Sequence, residues 1–290
     1  MFKKIKAIWE LTRLEHGLIY ALGVLLSLII AYEGRLPAWY VVAAGMLGAI
    51  LAEMGAFALN DYFDVEVDKI NNRVDRPIIR GDISKNEAML IFIITSLLSL
   101  VFISYLGWGA VVVVIFLIVF SALYNYKLKE YGIWGNVFIS FTMASPFLFG
   151  SVLFASSGVL IVLSVIAFVI GLGREIMKGI MDVKGDALRD VKTVARTMGE
   201  TKAKYIAVFL YIVGGLLTPI PYFFKLNDAN LAFYHDPLYA VFAFAAIAVL
   251  CYVCYSLLIS HDIKTIGRMR KVTLIGMVLA LAAFFFGALF

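Results

Sequence analysis

The sequence predicts an all-α, polytopic membrane protein: nine transmembrane helices around a central cavity capped by the loops of one membrane face. Three observations carry that expectation. Hydrophobic residues make up 63% of the 290 and charged residues only 16%, against about a quarter charged in soluble domains. Apolar stretches of roughly the 20 residues needed to cross a bilayer recur nine times along the chain. The 25 Lys and Arg are also segregated, since all but Arg35 and Lys225 lie at the N-terminus or in and beside alternate loops.

The elements follow in order. Residues 1–16 form an amphipathic start with four cations, Lys3, Lys4, Lys6 and Arg13. That start runs into a full-length span near Gly17, not into the short apolar core and small-residue cleavage site of a secretory signal. Further spans are expected from near Ala38, Asn86, Gly109, Ile133, Gly158, Ala203, Pro237 and Val272. The sparsely charged side has short connections at 33–37, 106–108 and 155–157, and one longer one at 225–236. By the positive-inside rule the basic side is the cytosol, which puts the N-terminus inside and, after nine spans, the C-terminus outside. The net charge of +5 follows from this asymmetry. Its basic residues alternate with acids beside the membrane, so the partner is the lipid bilayer and not nucleic acid. Cys251 and Cys254 show a Cys-x-x-Cys spacing inside an apolar span, where small buried hydrophobes are expected rather than a redox pair.

Two cytosolic loops, after the second and sixth spans, are long and rich in charge. The first opens with Asn60-Asp61-Tyr62-Phe63-Asp64-Val65-Glu66-Val67-Asp68, the second with Asp182-Val183-Lys184-Gly185-Asp186-Ala187-Leu188-Arg189-Asp190. Side-chain oxygens recur at every fourth position, so on a helix end Asn60, Asp64 and Asp68 share a stripe, as do Asp182, Asp186 and Asp190, while Asp61 points elsewhere. Each row is followed by cations, Arg73, Arg76 and Arg80 in one loop and Lys192 and Arg196 in the other, and then by a glycine, Gly81 or Gly199. The likeness suggests two pseudo-equivalent halves facing one cavity. Ser84-Lys85-Asn86-Glu87 fits a capping box that starts the third span. No linker divides the chain, so residues 1–290 are read as a single transmembrane domain.

Carboxylates gathered at a membrane mouth repel one another, by roughly 4 kcal/mol per pair at 4 Å and an effective dielectric near 20. Hard oxygen ligands suit Mg²⁺, which commonly combines one or two carboxylates with substrate phosphates. A divalent metal and a diphosphate would therefore satisfy the acidic rows and the cations together. Arg174 and Lys178, with Asp182 four residues on, lie near one face of the sixth span. Arg174 falls where the sequence is still apolar, and ionisable groups at such depth tend to mark a substrate path. Glu53 in the second span is similarly placed. Tyr124, Lys127 and Lys129 close the fourth span, where cations also have an ordinary explanation in the helix dipole.

These residues resemble the UbiA superfamily of intramembrane prenyltransferases over most of the chain. The resemblance rests on nine spans, an N-D-x-x-D-x-x-x-D motif at 60–68, the N-R-x-x-R-P at 72–77 and the second D-x-x-x-D at Asp182 and Asp186. It implies Mg²⁺ held by Asn60, Asp64, Asp68, Asp182 and Asp186, bridging to a prenyl diphosphate whose charge Arg76 helps to balance. Many members carry Y-x-x-x-K after the fourth span. Here Tyr124 is followed at that spacing by Leu128, flanked by Lys127 and Lys129, so either lysine is a candidate for the diphosphate. The segment Gly173-Arg174-Glu175-Ile176-Met177-Lys178 is most similar to the archaeal ether-lipid branch. That likeness implies geranylgeranyl diphosphate as donor and a lipid phosphate, geranylgeranylglyceryl phosphate, as acceptor, with Arg174 and Lys178 meeting the acceptor's phosphate. The alternatives are an aromatic acceptor in quinone biosynthesis and, further away, a divalent-cation transporter. Transport is disfavoured because the carboxylates crowd one face and the other side offers almost no polar path.

Overall fold

The computed structural model describes residues 2–70, 72–153, 157–181, 183, 191–226, 233–260 and 262–289. Among them every regular element is helical, and nine helices are long and apolar enough to cross a membrane. In chain order the helices are α1 (Phe2–Thr12), α2 (Leu14–Ala31), α3 (Trp39–Ile70), α4 (Lys85–Ser104), α5 (Trp108–Tyr126), α6 (Ile133–Leu153) and α7 (Gly158–Met181). They continue with the short α8 (Val194–Met198), α9 (Glu200–Leu217), the short α10 (Ile220–Phe223), α11 (Pro237–Ile259) and α12 (Ile263–Leu289). The protein is thus an all-α, multi-pass membrane protein. Its chain divides into two compact units, Met1–Leu25 with Leu36–Lys127, and Leu26–Arg35 with Leu128–Phe290.

In the first unit α3 packs along α4, and both meet α5. Small residues let the backbones approach, as is usual between helices in lipid. Ser99 donates from Oγ to the Gly48 carbonyl at 2.7 Å, and a Cβ on Gly48 would stand 2.5 Å from the Ile103 side chain. Helix α3 has 32 residues, so it is about 48 Å long at 1.5 Å per residue. A bilayer core is only about 30 Å thick, and the last turns of α3 therefore stand clear of the hydrocarbon. The acidic row occupies those turns. It is helical to Ile70, where the apolar pattern alone ends the span ahead of Asn60.

A Schellman closure stops α3. The Arg73 N–H returns to the Asp68 carbonyl at 2.9 Å and the Asn72 N–H to the Lys69 carbonyl at 3.1 Å. Asn72 sits at φ 51°, the left-handed position that Asn tolerates after Gly. Beyond it, the loop is clamped by α1. Ala7 and Leu11 of α1 pack with Ala58, Ile83 and Ala88, while Lys3 pairs with Asp82 at 2.8 Å, Lys4 with Glu87 at 2.6 Å and Glu10 with Arg80. The expected capping box is present: the Glu87 N–H donates to Ser84 Oγ at 3.2 Å, and the Ser84 N–H to Glu87 Oε2 at 2.7 Å.

In the second unit α7 is flanked by α6, α9 and α12, and α11 pairs with α12. Tyr211 of α9 is fully buried; its ring lies 3.0 Å from where a Cβ on Gly173 would be. A 3₁₀ turn at Leu128–Tyr131 is docked on the short stretch before α8, with the Lys192 N–H donating to the Glu130 carbonyl at 3.3 Å. Gly132 follows at φ 58°, and a Cβ there would fall 1.7 Å from the Lys192 carbonyl oxygen. Helix α12 begins at Ile263, nine residues ahead of the expected Val272. The basic stretch joins the helix because Ile266 and Met269 are buried on its inner side. Cys251 and Cys254 are unbridged.

Candidate active site

The first acidic row is built as expected on one helix, but its members do different work. Asn60 and Asp64 lie one turn apart, partly exposed, on the stripe that continues to Asp68. Asn60 donates from Nδ2 to Asn125 Oδ1 at 2.9 Å, and Asn125 donates in turn to the Ser121 carbonyl at 3.0 Å. The Asn60 amide is thereby turned with its carbonyl oxygen away from this bond, the orientation a cation ligand needs. Asn125 is 3% exposed. Sequence reasoning passed over it, although an amide between Tyr124 and Tyr126 at the end of an apolar span is itself a signal.

Asp61 is a structural counter-ion. It is 2% exposed, and its Oδ1 accepts from both Arg13 and Arg76, each at 2.9 Å. The Arg13 guanidinium also stands over the Phe57 ring, 4.3 Å from its centre. It is the charge that bears on the half-buried Glu53 as well, so Glu53 has a cation within its own unit. Arg76, expected to face a diphosphate, is anchored on Asp61. Its Nε, 3.6 Å from Asp68 Oδ2, is buried without a hydrogen-bond acceptor, and so is Asp61 Oδ2 without a donor. A buried donor left over in this way costs about 1–3 kcal/mol. Arg76 therefore keeps one N–H for an anion, and Asn60 turns its side-chain carbonyl oxygen away from Asn125, available to a cation. The residues fit a metal-bound phosphate group.

The neighbouring cations are already held. Arg73 forks onto Asp75 through Nε and Nη2 at 2.9 and 2.8 Å, which keeps the Asp75 carboxyl below the usual carboxylate range and raises the guanidinium. Hydrogen bonds from Lys3 and then Arg80 likewise lower Asp82. Arg73 and Arg80 therefore brace the loop, while Arg76 alone of the three turns back to the acidic row.

At the end of α5, Tyr124 is half-buried and Lys127 is exposed, its backbone N–H closing the helix on the Leu123 carbonyl at 2.9 Å. Lys129 lies in the 3₁₀ turn of the second unit. In the same unit Arg174 is on α7 with its Nε buried and unpartnered, whereas Lys178 pairs with Glu175 at 3.5 Å. Asp182, Asp186 and Asp190 lie outside the described residues. Among the described residues no three His, Cys, Asp or Glu side chains converge as a metal site.

Set beside known proteins, the fold and the row at 60–68 define a class, the polytopic membrane prenyltransferases. The chain belongs to the UbiA prenyltransferase family, whose model matches residues 20–269. It is 44% identical to a digeranylgeranylglyceryl phosphate synthase of Archaeoglobus fulgidus over 98% of this chain and 96% of that one. Identity to the synthase of the same name from Methanopyrus kandleri is 32%, over 97% and 98%. A solved structure of a digeranylgeranylglyceryl phosphate synthase superposes with a TM-score of 0.81 at 26% identity, covering 99% of each chain. A UbiA homologue from Archaeoglobus fulgidus bound to GPP and Mg²⁺ shares the fold, with a TM-score of 0.68 at 16% identity over 96% and 99%.

Proposed function

We propose that this enzyme transfers a geranylgeranyl group from geranylgeranyl diphosphate to the free hydroxyl of geranylgeranylglyceryl phosphate, forming an ether lipid. The 44% identity to a synthase named for that product, sustained over 98% of this chain, is the observation that carries the reading. Residues 1–290 act in it as one transmembrane prenyltransferase domain, with the acidic rows and the N-terminus in the cytosol, because the cations gather there.

Asn60, Asp64 and Asp68, with Asp182 and Asp186, would hold Mg²⁺. When bound, the metal supplies Lewis-acid stabilisation to the departing diphosphate. Arg76 contributes its spare Nε–H to the same charge, and Tyr124 with Lys127 or Lys129 closes around it. The allylic C–O bond breaks with its electron pair leaving on the diphosphate. The acceptor hydroxyl then forms the new C–O bond, and its proton passes to the released diphosphate. Preorganised donors aimed at the leaving group do most of this work, since the prenyl tail arrives from lipid already out of water and adds little net binding.

The experiment is a Mg²⁺-dependent assay on purified protein with geranylgeranyl diphosphate and either geranylgeranylglyceryl phosphate or 4-hydroxybenzoate. Ether product only with the glycerol phosphate is the expected result. Product only with the aromatic would move the acceptor, and diphosphate release with neither would overturn the assignment.

A further inference from the structure

Helices α7 and α12 run side by side in the second unit. Near their charged ends, a Cβ on Gly267 would meet the Met181 methyl at 3.2 Å. Two turns along α12, Thr273 reaches the Tyr211 hydroxyl, and Tyr211 lies on Gly173 and Met177 of α7. Residues 267–273 are therefore aligned with residues 173–181. Arg270 falls inside the first stretch and Arg174 inside the second, and the two guanidiniums are within electrostatic range of each other.

Like charges held together need a reason. Glu175 is the acid beside them, and Lys178 already pairs with it. Neither Arg174 nor Arg270 has an ion-pair partner among the described residues, and the Arg174 Nε is buried with no acceptor. Among the described residues three cations share one carboxylate, an excess of two positive charges. That excess matches a dianionic phosphomonoester. Guanidinium forks bind phosphate oxygens bidentately, where a lysine offers only a point charge.

We propose that Arg174 and Arg270 form the binding site for the phosphomonoester of the lipid acceptor, and that Lys178 serves to neutralise Glu175 instead of touching that phosphate. The inference rests on the reading of the acceptor as a glycerol-phosphate lipid. It brings in a residue of the last span that the sequence patterns did not single out. Arg174 lies seven residues before the end of α7 and Arg270 seven after the start of α12, so both guanidiniums belong to the charged ends of the two helices.

The test is equilibrium binding in nanodiscs, without donor or metal, of geranylgeranylglyceryl phosphate and of its dephosphorylated alcohol. Wild type should prefer the phosphate, and Arg270→Gln should lose at least about ten-fold of that preference with alcohol binding unchanged. Lys178→Gln should keep it. An unchanged KM for geranylgeranyl diphosphate in Arg270→Gln, and partial rescue by Arg270→Lys, guard against a folding defect. Full preference retained in Arg270→Gln, no preference in wild type, or equal competition by phosphatidylglycerol would each overturn the proposal. Wild-type binding through Arg270 combined with transfer only to an aromatic would sink the acceptor reading and leave the site. Transfer to the phosphate lipid with Arg270→Gln unaffected would do the reverse.

Discussion

Asn125 fixes the orientation of Asn60: a 2.9 Å bond from the Asn60 amide nitrogen leaves the Asn60 side-chain carbonyl as the free end. Partners that orient a metal ligand are typically worth 10–100-fold in metal affinity. Asn125→Leu should therefore raise the Mg²⁺ concentration for half-maximal prenyl transfer by about 10-fold or more. Activity should return at high Mg²⁺. A Mg²⁺ titration of turnover checks it; an unshifted midpoint would mean that Asn60 does not ligate.

Asp64 has no comparable substitute. Asp64→Ala and Asp186→Ala should each lower transfer by at least about 100-fold, the usual cost of removing charge stabilisation from a leaving group. Added Mg²⁺ should not restore either. Product formation under saturating donor and acceptor is the measurement.

Asp61 is asked for stability, not chemistry. Asp61→Ala strands the guanidiniums of Arg13 and Arg76, side chains only 22% and 17% exposed, and breaking such a pair costs about 3–5 kcal/mol. Thermal unfolding of the detergent-solubilised protein should show a lowered Tm. Removing the stranded charges as well, in Asp61→Ala with Arg13→Gln, should recover part of the loss.

Gly132 is a steric requirement. A Cβ placed 1.7 Å from the Lys192 carbonyl cannot be accommodated without moving backbone. Gly132→Ala should loosen both the 3₁₀ turn and the stretch before α8, seen as faster amide exchange at 128–132 and 191–193. Protection unchanged at both would refute the docking.

The α1 clamp should respond to acid in a defined window. Asp82 is held below its ordinary value by Lys3 and Arg80, so its contribution is full above the unfolded carboxylate pKa of about 3.9. It disappears only as pH falls through the lower folded value. Trp9 emission should therefore be flat from pH 8 to about 5 and change below about pH 4. In Asp82→Asn it should already have changed at neutral pH.

Much of this was legible in the chain. Long apolar runs report spans reliably because the bilayer tolerates little else, and the Ser84–Glu87 box reads directly as a cap. Asn60, Asp64 and Asp68 were visible because a fourfold spacing survives in any helix. Asp61 was not, since its partners Arg13 and Arg76 lie 48 residues before and 15 after it, a distance that periodicity does not see. Spacing singled out Lys178 but not its 3.5 Å pairing with Glu175, three residues away. The reach of α3 to Ile70 was hidden because helix persistence depends on where the closing Asn72 sits and not on where greasiness ends.

Helix α1 carries a consequence for biogenesis. It is made before the partners that complete its clamp: Asp82, Ile83 and Glu87 leave the ribosome about 70–75 residues after its end, a delay on the order of 4–15 s at ordinary translation rates. In that interval Phe2, Ile5 and Trp9 remain on its outer face, an amphipathic segment suited to resting on the lipid surface. The clamp is thus completed only when the third span begins to insert, which makes the fixing of the loop after the first acidic row a late event in the assembly of this protein.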